Sequence, residues 1–443
     1  MGRISKLEEK INMLINFTVS NSRSIEKELT FSMIATVGDA LQEALMPLPQ
    51  YDIRLVKTAA IFGANASGKS NLLKAMADAK MFICKPIKQD ENPSVFYSKN
   101  NTAGKTKPIT YKFDILIENI HYTYAFSHFE DKIIEEFLSK TLPNTDKEVM
   151  IYHRKIQEDG SFTWLPNGFL DNKNNNFFYE STPKNYLYLT AVNTLPFNPD
   201  VYSKNIELVK VFNWFRIQFE YSIELIAAGI NYNKQHAITY IQENNTNKQL
   251  FLKLLSIADS AIKDIQVTEY NEGVGGNIKY FKDGKLVYVT IQIFKETRGI
   301  KIREAFDLIK DESNGTEQLF TWLGYWLYNL DATKPPVTFV IDEFGTSLHP
   351  LLAQLLLKIF YSKKLNQNNS QFIFTTHETK LMDKTVLRPD QLYLVNKINN
   401  NTVIERAFEY ENLEEYSRLD NLYMHGGISG IPSISKLNLD DLL

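Results

Sequence analysis

The residue run with the clearest chemistry is Gly63-Ala64-Asn65-Ala66-Ser67-Gly68-Lys69-Ser70. It fits the phosphate-loop pattern G-x-x-x-x-G-K-[ST], with an apolar strand-like segment before it and a helical segment, predicted over 70–83, after it. Glycines let backbone N–H groups surround a phosphate, and the start of a helix adds the positive end of its dipole. We therefore predict a nucleotide-phosphate site that uses Gly63, Asn65, Ser67, Gly68, Lys69, Ser70 and Asn71. Lys69 would reach the β- and γ-phosphates, and Ser70 would supply a hydroxyl to Mg²⁺.

A second pattern places two carboxylates after an apolar strand. The strand-like run Val337–Ile341 is followed directly by Asp342 and Glu343. Buried parallel strands are continuously apolar, as this run nearly is, and deliver polar groups at their carboxyl ends. Asp342 would hold Mg²⁺, directly or through water, and Glu343 would polarise the attacking water. Taken alone, the run could equally be a strand that ends in two solvated acids, but the complete phosphate loop favours the catalytic interpretation.

Two further groups are weaker signals by themselves. Ser313 and Gly315 precede a helix predicted over 316–330, where a hydroxyl and an exposed helix N-terminus suit an anion. The same residues also fit an ordinary N-cap. His377 follows a strand predicted over 371–375, and a histidine in that position can report a γ-phosphate. A lone histidine is more often an ordinary surface or core residue.

These four groups lie in two separated parts of the chain, and both parts have strand and helix patterns typical of α/β proteins. Residues 13–85 and 300–443 are predicted to form the two halves of one α/β domain. The intervening residues 86–299 contain alternating strand patterns and helical stretches, which predict a large inserted α+β lobe.

Composition excludes some classes of protein. The 49 Lys and Arg residues nearly balance the 52 Asp and Glu residues, so the net charge of −3 excludes a uniformly basic nucleic-acid binder and leaves a local basic patch open. The single cysteine, Cys84, excludes a disulfide framework within one chain and favours the reducing cytoplasm. No apolar run approaches about 20 residues, so no membrane span is expected.

In their order along the chain, these motifs resemble those of ABC-type ATPases related to the SMC, RecF and OLD proteins. In particular, they resemble the bacterial AAA-family ATP-binding proteins of phage-defence loci, of the RloA and AbiL type. The resemblance rests on Phe17–Ile25, the phosphate loop, Ile341–Phe344 with Ser347–Pro350, Arg388–Tyr393, and Tyr423–Pro432 with its glycines. Residues 312–318, here called the signature turn, resemble the ABC signature motif in a divergent S-x-G-T form, and His377 matches the switch histidine.

The resemblance implies an α/β fold in which an ABC-type P-loop ATPase domain is split by the inserted lobe. It implies an ATPase that uses ATP and Mg²⁺, with Lys69, Glu343 and His377 as catalytic residues, and with Ser70 and Asp342 as metal ligands. It also implies a homodimer or higher homo-oligomer in which Ser313 and Gly315 cap the nucleotide held by another subunit. The implied role is anti-phage defence with a separately encoded effector nuclease, Toprim-like or HNH. A RecF-like repair ATPase that contacts DNA directly is the alternative, and the long segment between phosphate loop and signature turn disfavours a transporter subunit.

Overall fold

In the part of the chain that the structure describes, the backbone forms four β-sheets with helices packed between and around them. The structure is a computed structural model that describes residues 10–430, apart from 37, 86–105, 131, 146, 168, 172, 184, 195–204, 223–229, 271–275, 277, 283–284, 297–302, 347 and 411–418. Among these residues, no helix is long and apolar enough to cross a membrane.

The strands follow one another along the chain as β1 (Met13–Ser20), β2 (Leu29–Ser32), β3 (Leu45–Leu48), β4 (Ile53–Val56), β5 (Thr58–Gly63), β6 (Ile109–Ile117), β7 (Ile120–Phe129), β8 (Lys132–Thr141), β9 (Glu148–Ile156), β10 (Phe162–Leu165), β11 (Phe219–Ser222), β12 (Ile262–Tyr270), β13 (Ile278–Lys282), β14 (Lys285–Glu296), β15 (Arg303–Asp307), β16 (Thr338–Ile341), β17 (Gln371–Thr375), β18 (Leu392–Ile398) and β19 (Asn401–Arg406). The α-helices are α1 (Lys69–Cys84), α2 (Lys173–Ser181), α3 (Tyr188–Thr194), α4 (Ile206–Asn213), α5 (Ile230–Glu243), α6 (Asn245–Leu255), α7 (Asn314–Asn329), α8 (Pro350–Tyr361) and α9 (Leu419–Met424).

The central sheet has the strand order β11-β16-β17-β5-β18-β19, and all its pairings are parallel except the last. Its side chains alternate between two hydrophobic clusters. Ala59 and Ile61 belong to the cluster that contains α1, whereas Ala60 and Phe62 belong to the cluster that contains α7 and α8. A parallel sheet needs both faces covered in this way, which explains the continuous apolar runs in its strands.

A seven-stranded sheet, in the order β10-β9-β8-β7-β6-β1-β2, is antiparallel throughout and shares a hydrophobic cluster with α1. The fully buried Gln371 links this sheet to the central one. Its side-chain oxygen accepts from the backbone N–H of Leu14 at 2.7 Å, and its nitrogen donates to the Leu14 carbonyl at 3.1 Å. The amide side chain of Gln371 therefore satisfies the N–H and carbonyl of Leu14 in β1, as the backbone of a neighbouring strand would.

A buried carboxylate connects α3 to the antiparallel sheet through hydrogen bonds. Glu136, which is fully buried, accepts hydrogen bonds from the hydroxyls of Tyr124 and Tyr152, from the Arg154 guanidinium and from the backbone N–H of Tyr188. A buried charge is tolerated only when it is paired and hydrogen-bonded, as this one is. Burial and the Glu136 carboxylate together raise the pKa of Tyr124 and Tyr152.

The third sheet consists of β12, β13, β14 and β15, with β13 and β15 end to end along one side of β14. With α5 and α6 it packs against α7, and a Cβ at Gly324 of α7 would overlap Ala237 of α5. We call β12–β15, α5 and α6 the signature-side lobe. The two helices therefore lie in unusually close contact, which only glycine at position 324 allows.

The α/β class and most elements of the central sheet agree with the sequence-based expectations. The helix over 350–361 and the strand over 371–375 are confirmed at the same bounds. The division at 85 and 299 stays a prediction, and hydrogen bonds cross it: β1 pairs with β6, and β11 pairs with β16.

The aromatic and apolar residues over 205–228 predict one helical stretch, and this prediction was wrong over the described residues 205–222; residues 223–228 lie outside the described part. The helix α4 ends at Asn213, a five-residue π-helix follows, and Phe219–Ser222 forms the edge strand β11. The run of aromatic and apolar residues fits a buried helix and a buried strand equally well. Parallel pairing with β16, far away in sequence, decides in favour of the strand.

His128 makes the stability of this fold sensitive to acid. The residue is 2% exposed, its ring centroid lies 4.2 Å from that of Phe82, and burial lowers its pKa from 6.5 to about 4. At neutral pH the imidazole is uncharged in both states. Below pH 6.5 the unfolded chain binds a proton that the folded chain excludes, so stability falls until about pH 4.

We therefore expect His128→Phe to reduce the loss of unfolding free energy between pH 7 and pH 4 by about 3 kcal/mol. Urea unfolding of both proteins at the two pH values measures this difference. His236, whose pKa burial also lowers to about 4, contributes equally to both proteins and cancels in the comparison. Identical pH dependence in the variant and the parent would contradict the expectation.

Candidate functional site

The predicted phosphate loop joins β5 to α1 and needs glycine at two positions. A Cβ at Gly63 would lie 2.5 Å from the carbonyl oxygen of Val395. Gly68 has φ 113°, and a Cβ there would overlap the side chain of Thr402 on β19. Backbone conformation and close approach therefore both demand glycine, which gives the sequence pattern its steric reason.

Donor groups that an anion could use gather at this loop. The N-cap residue of α1 is Gly68, which has no side chain to accept from the first N–H groups of the helix. Among the described residues, the buried Ser67 hydroxyl has no hydrogen-bond partner. Lys69 is 6% exposed, and its amine donates to the carbonyls of Gly63 at 2.7 Å and Ala64 at 3.0 Å. A phosphate oxygen would offer partners to all of these groups, so the residues present fit a bound phosphate.

The acidic pair is held at the same edge of the sheet by Thr375 of β17. The buried Thr375 hydroxyl donates to a carboxylate oxygen of Asp342, and its oxygen accepts from the backbone N–H of Glu343 at 2.8 Å. Thr375 itself is paired with Ile61 of β5, two residues before Gly63. One threonine thus fixes the end of the acidic strand relative to the start of the phosphate loop.

The backbone of Glu343 adopts the left-handed conformation, with φ 57°, and its side chain is exposed. Glutamate rarely adopts this conformation, and a non-glycine residue held there costs free energy. The neighbouring backbone contacts hold it, since Phe344 N–H donates to the Thr375 carbonyl at 2.8 Å. The chain therefore leaves the strand conformation at Glu343.

His377 follows β17 and completes a group of four titratable side chains. Desolvation lowers the pKa of the His377 imidazole, and the Lys69 charge acts in the same direction, whereas Glu343 and Asp342 oppose it. Burial likewise lowers the pKa of Lys69, against the effect of Asp342 and Glu343. Each group therefore lies within the electrostatic reach of the others. The structure thus places Lys69, Asp342, Glu343 and His377 near one another, and their catalytic and metal-binding roles stay a prediction.

The remaining predicted loop residues differ in their surroundings. Asn65 is exposed at the tip of the loop, and Ser70 is half-buried in the first turn of α1. The side-chain amide of Asn71 donates to Ser24 Oγ at 2.7 Å, so it contacts the turn between β1 and β2. Among the described residues, no group of three or more His, Cys, Asp and Glu side chains could hold a metal. A magnesium ion would therefore rely on Ser70 and Asp342 together with phosphate and water oxygens.

Ser313 and Gly315 lie apart from this group, at the N-terminus of α7. The Ser313 side chain accepts from the backbone N–H of Thr316 at 3.2 Å, so the ordinary N-cap interpretation describes its present contacts. Ser313 is exposed, and a Cβ at Gly315 would meet nothing closer than 3.8 Å. The turn therefore presents an accessible helix N-terminus to an approaching group.

Two of the motifs that carry the family resemblance make buried contacts beside strand β5 of the central sheet. In the motif 388–393, Arg388 forms a buried ion pair with Asp390 at 2.8 Å, and the Gln391 amide donates to the Thr58 carbonyl at 2.9 Å. In the motif 423–432, the described part ends at Gly430, whose carbonyl accepts from the Tyr423 hydroxyl at 2.8 Å. A Cβ at Gly430 would lie 3.5 Å from Gly63, so this segment packs against the start of the phosphate loop. In the third motif, 347–350, Ser347 lies outside the described residues.

Sequence reasoning missed Tyr221 of β11. Its hydroxyl is buried without a hydrogen-bond partner among the described residues, and burial raises the pKa of Tyr221, with the Asp342 charge adding to the effect. Ser222 pairs with Ile341, so β11 ends next to Asp342. The alternation Phe219, Tyr221 is only four residues long, which is too short to reveal a strand.

The strain at Glu343 yields a measurable expectation. Asparagine tolerates left-handed backbone far better than glutamine does, and both substitutions remove the carboxylate. Glu343→Asn should therefore exceed Glu343→Gln in unfolding free energy by about 1 kcal/mol. Urea denaturation of the two nucleotide-free variants measures the difference. Equal stability would show that residue 343 relaxes out of the left-handed conformation at no cost.

Comparison with known proteins places this geometry in a family. A family model described as "AAA domain, putative AbiEii toxin, Type IV TA system" matches residues 59–383, well over half of the chain. Among solved structures, the SMC head domain from Thermotoga maritima matches with 14% sequence identity and a TM-score of 0.36, over 89% of this chain and 98% of that chain. No protein of curated function matches the sequence. Since the family match includes the phosphate loop, the acidic pair and His377, the chain belongs to this AAA-domain family.

Proposed function

We propose that this protein binds and hydrolyses ATP as an ABC-type subunit that closes into nucleotide-sandwich dimers. We further propose that in anti-phage defence it controls a separately encoded effector nuclease. The observation that carries the ATPase proposal is the meeting of Lys69, Asp342, Glu343 and His377 beside the phosphate loop. AAA domains are generally ATPases, which agrees with it. The defence role is supported by the motif resemblance and by the toxin–antitoxin wording of the family description.

Each residue at the sheet edge has a task in this mechanism. The N–H groups of the phosphate loop and the Lys69 amine hold the β- and γ-phosphates. Ser70 and Asp342 would hold Mg²⁺, which supplies positive charge to the phosphate oxygens. Glu343 orients the attacking water and accepts its proton, and His377 contacts the γ-phosphate.

The signature turn supplies the reason for a dimer. Ser313 and Gly315 present a hydroxyl and an accessible helix N-terminus, and both suit a phosphate oxygen. We place them against the nucleotide of the partner subunit. ATP then binds the closed dimer more tightly than the separate subunits, and this difference in affinity makes it a switch.

Lys69→Ala should weaken ATP binding by about tenfold or more, because it removes the main positive charge facing the β- and γ-phosphates. Titration calorimetry with a non-hydrolysable ATP analogue measures the affinity. Lys74→Ala is the matched control, since Lys74 lies on the same helix and is only half-buried. Equal affinity of the Lys69→Ala variant and the parent would show that the loop does not bind phosphate.

A mixing experiment tests the exchange of signature turns between subunits. Ser313→Asp keeps an N-cap acceptor, so the fold is preserved, but its carboxylate repels the phosphate of the partner. Alone, this variant should bind ATP and fail to hydrolyse it. Mixed with Lys69→Ala subunits, it should regain activity in one site per heterodimer, formed by an intact loop and an intact turn.

The control mixture replaces Lys69→Ala by the double variant Lys69→Ala/Ser313→Asp, which leaves no intact turn. ATPase activity is measured for each variant and each mixture, and heterodimer formation is followed with two affinity tags. An inactive first mixture with demonstrable heterodimers would overturn the trans arrangement.

A further inference from the structure

Two lysines from the signature-side lobe contact the signature turn. Lys234 of α5 is fully buried, and its amine lies 2.6 Å from a carboxylate oxygen of Glu317. Lys295 of β14 lies 2.8 Å from Glu312 and also 2.8 Å from Asp259. Glu312 and Glu317 flank Ser313 and Gly315 on either side, so both acidic residues of the turn are paired with the lobe.

The charge of these glutamates matters for an anionic ligand. A carboxylate near a helix N-terminus stabilises the helix, but it also repels any phosphate that approaches the same N–H groups. Lys234 neutralises Glu317, and Lys295 is shared between Glu312 and Asp259. Both partners of each pair at the turn are largely shielded from solvent. Shielded charges are screened little by salt, so the neutralisation persists under physiological conditions.

Packing makes the same contacts a mechanical link. Lys234 lies one turn before Ala237, the residue in close contact with Gly324 of α7. Lys295 lies on β14, which is paired with β12 on one side and with β15 on the other. The signature turn is therefore held by the helix and by the sheet of the lobe together.

We propose that Lys234 and Lys295 form a clamp that neutralises and positions the signature turn, so that the turn can accept the γ-phosphate bound by a partner subunit. The inference rests on the proposed function. Both lysines are positioning residues, because they contact the turn and leave the nucleotide to Ser313 and Gly315. The clamp also makes the signature-side lobe the part of the subunit that controls ATP-driven closure.

The experiment measures ATP-dependent dimerisation in a Glu343→Gln background, which prevents hydrolysis. Lys295→Met should raise the ATP concentration required for half-maximal dimerisation by about tenfold, and Lys234→Met should do the same. ATP affinity under dilute, monomeric conditions should remain unchanged, because the phosphate loop is intact. Analytical ultracentrifugation and calorimetry give the two readouts.

Charge rescue separates neutralisation from a merely structural role. Lys234→Met/Glu317→Gln lacks both members of its pair, and Lys295→Met/Glu312→Gln, made in an Asp259→Asn background, likewise leaves no carboxylate of the cluster uncompensated. Dimerisation of both should therefore return to within about threefold of the parent. The double variants also answer the case in which Lys234→Met alone does not fold. Lys282→Met is the matched control, since Lys282 is exposed and pairs with Glu269 at 2.9 Å in the same lobe.

The outcomes distinguish the clamp from the function on which it rests. If the Glu343→Gln parent binds ATP and stays monomeric, the proposed sandwich dimer is wrong, and the clamp proposal, which depends on it, is overturned as well. If the parent dimerises and the clamp variants dimerise as Lys282→Met does, the proposed function stands and the clamp is overturned. Impaired single variants without rescue by the double variants would also overturn the neutralisation.

Discussion

The parallel alignment of β5, β17 and β16 is the constraint on which the candidate site depends. Their hydrogen bonds bring Gly63, Thr375 and Ile341 to one edge of the sheet, although the three residues are far apart in sequence. Parallel strands end at the same edge, and ligands of open α/β sheets bind there. Both faces of these strands are buried, so a slip in register would displace apolar side chains and is strongly disfavoured.

Thr375 connects the alignment of the strands to the acidic residues of the candidate site. Its hydroxyl bridges the Asp342 carboxylate and the backbone of Glu343, and it is buried between β16 and β5. The same contact holds Glu343 in a left-handed conformation that its side chain disfavours. Strain of this kind persists only where surrounding contacts determine the backbone, and it is common at functional sites.

The signature-side lobe relates to the site differently. The phosphate loop is formed by other segments, between β5 and α1. The lobe contacts the turn at residues 312–318 through Lys234 and Lys295. The turn therefore depends on two parts of the molecule at once, since α7 packs on the central sheet and also on α5. Such a position suits a connection between a binding event on the lobe and the closure of a nucleotide site.

The local parts of the site could be predicted from neighbouring residues alone. The phosphate loop, the acidic strand and the helices on either side depend on glycine geometry and on apolar periodicity, which are properties of neighbouring residues. The same holds for the helix at 350–361, whose start at Pro350 and apolar stripe are visible in the chain. The roles of Lys69, Asp342, Glu343 and His377 come from the motifs and the family resemblance and stay a prediction, while the structure shows only that the four side chains interact electrostatically.

Contacts between distant segments, in contrast, depend on the folded arrangement of the whole chain. Phe219–Ser222 became a strand because β16 offered a parallel partner, and no local pattern of four residues can show that. The bridging role of Thr375, the pairing of Gln371 with β1 and the contacts of Lys234 and Lys295 also join residues separated by tens to hundreds of positions. The sequence does not show which residue a given lysine or threonine will contact. The fold selects that partner when burial makes an unpaired polar group too costly to keep.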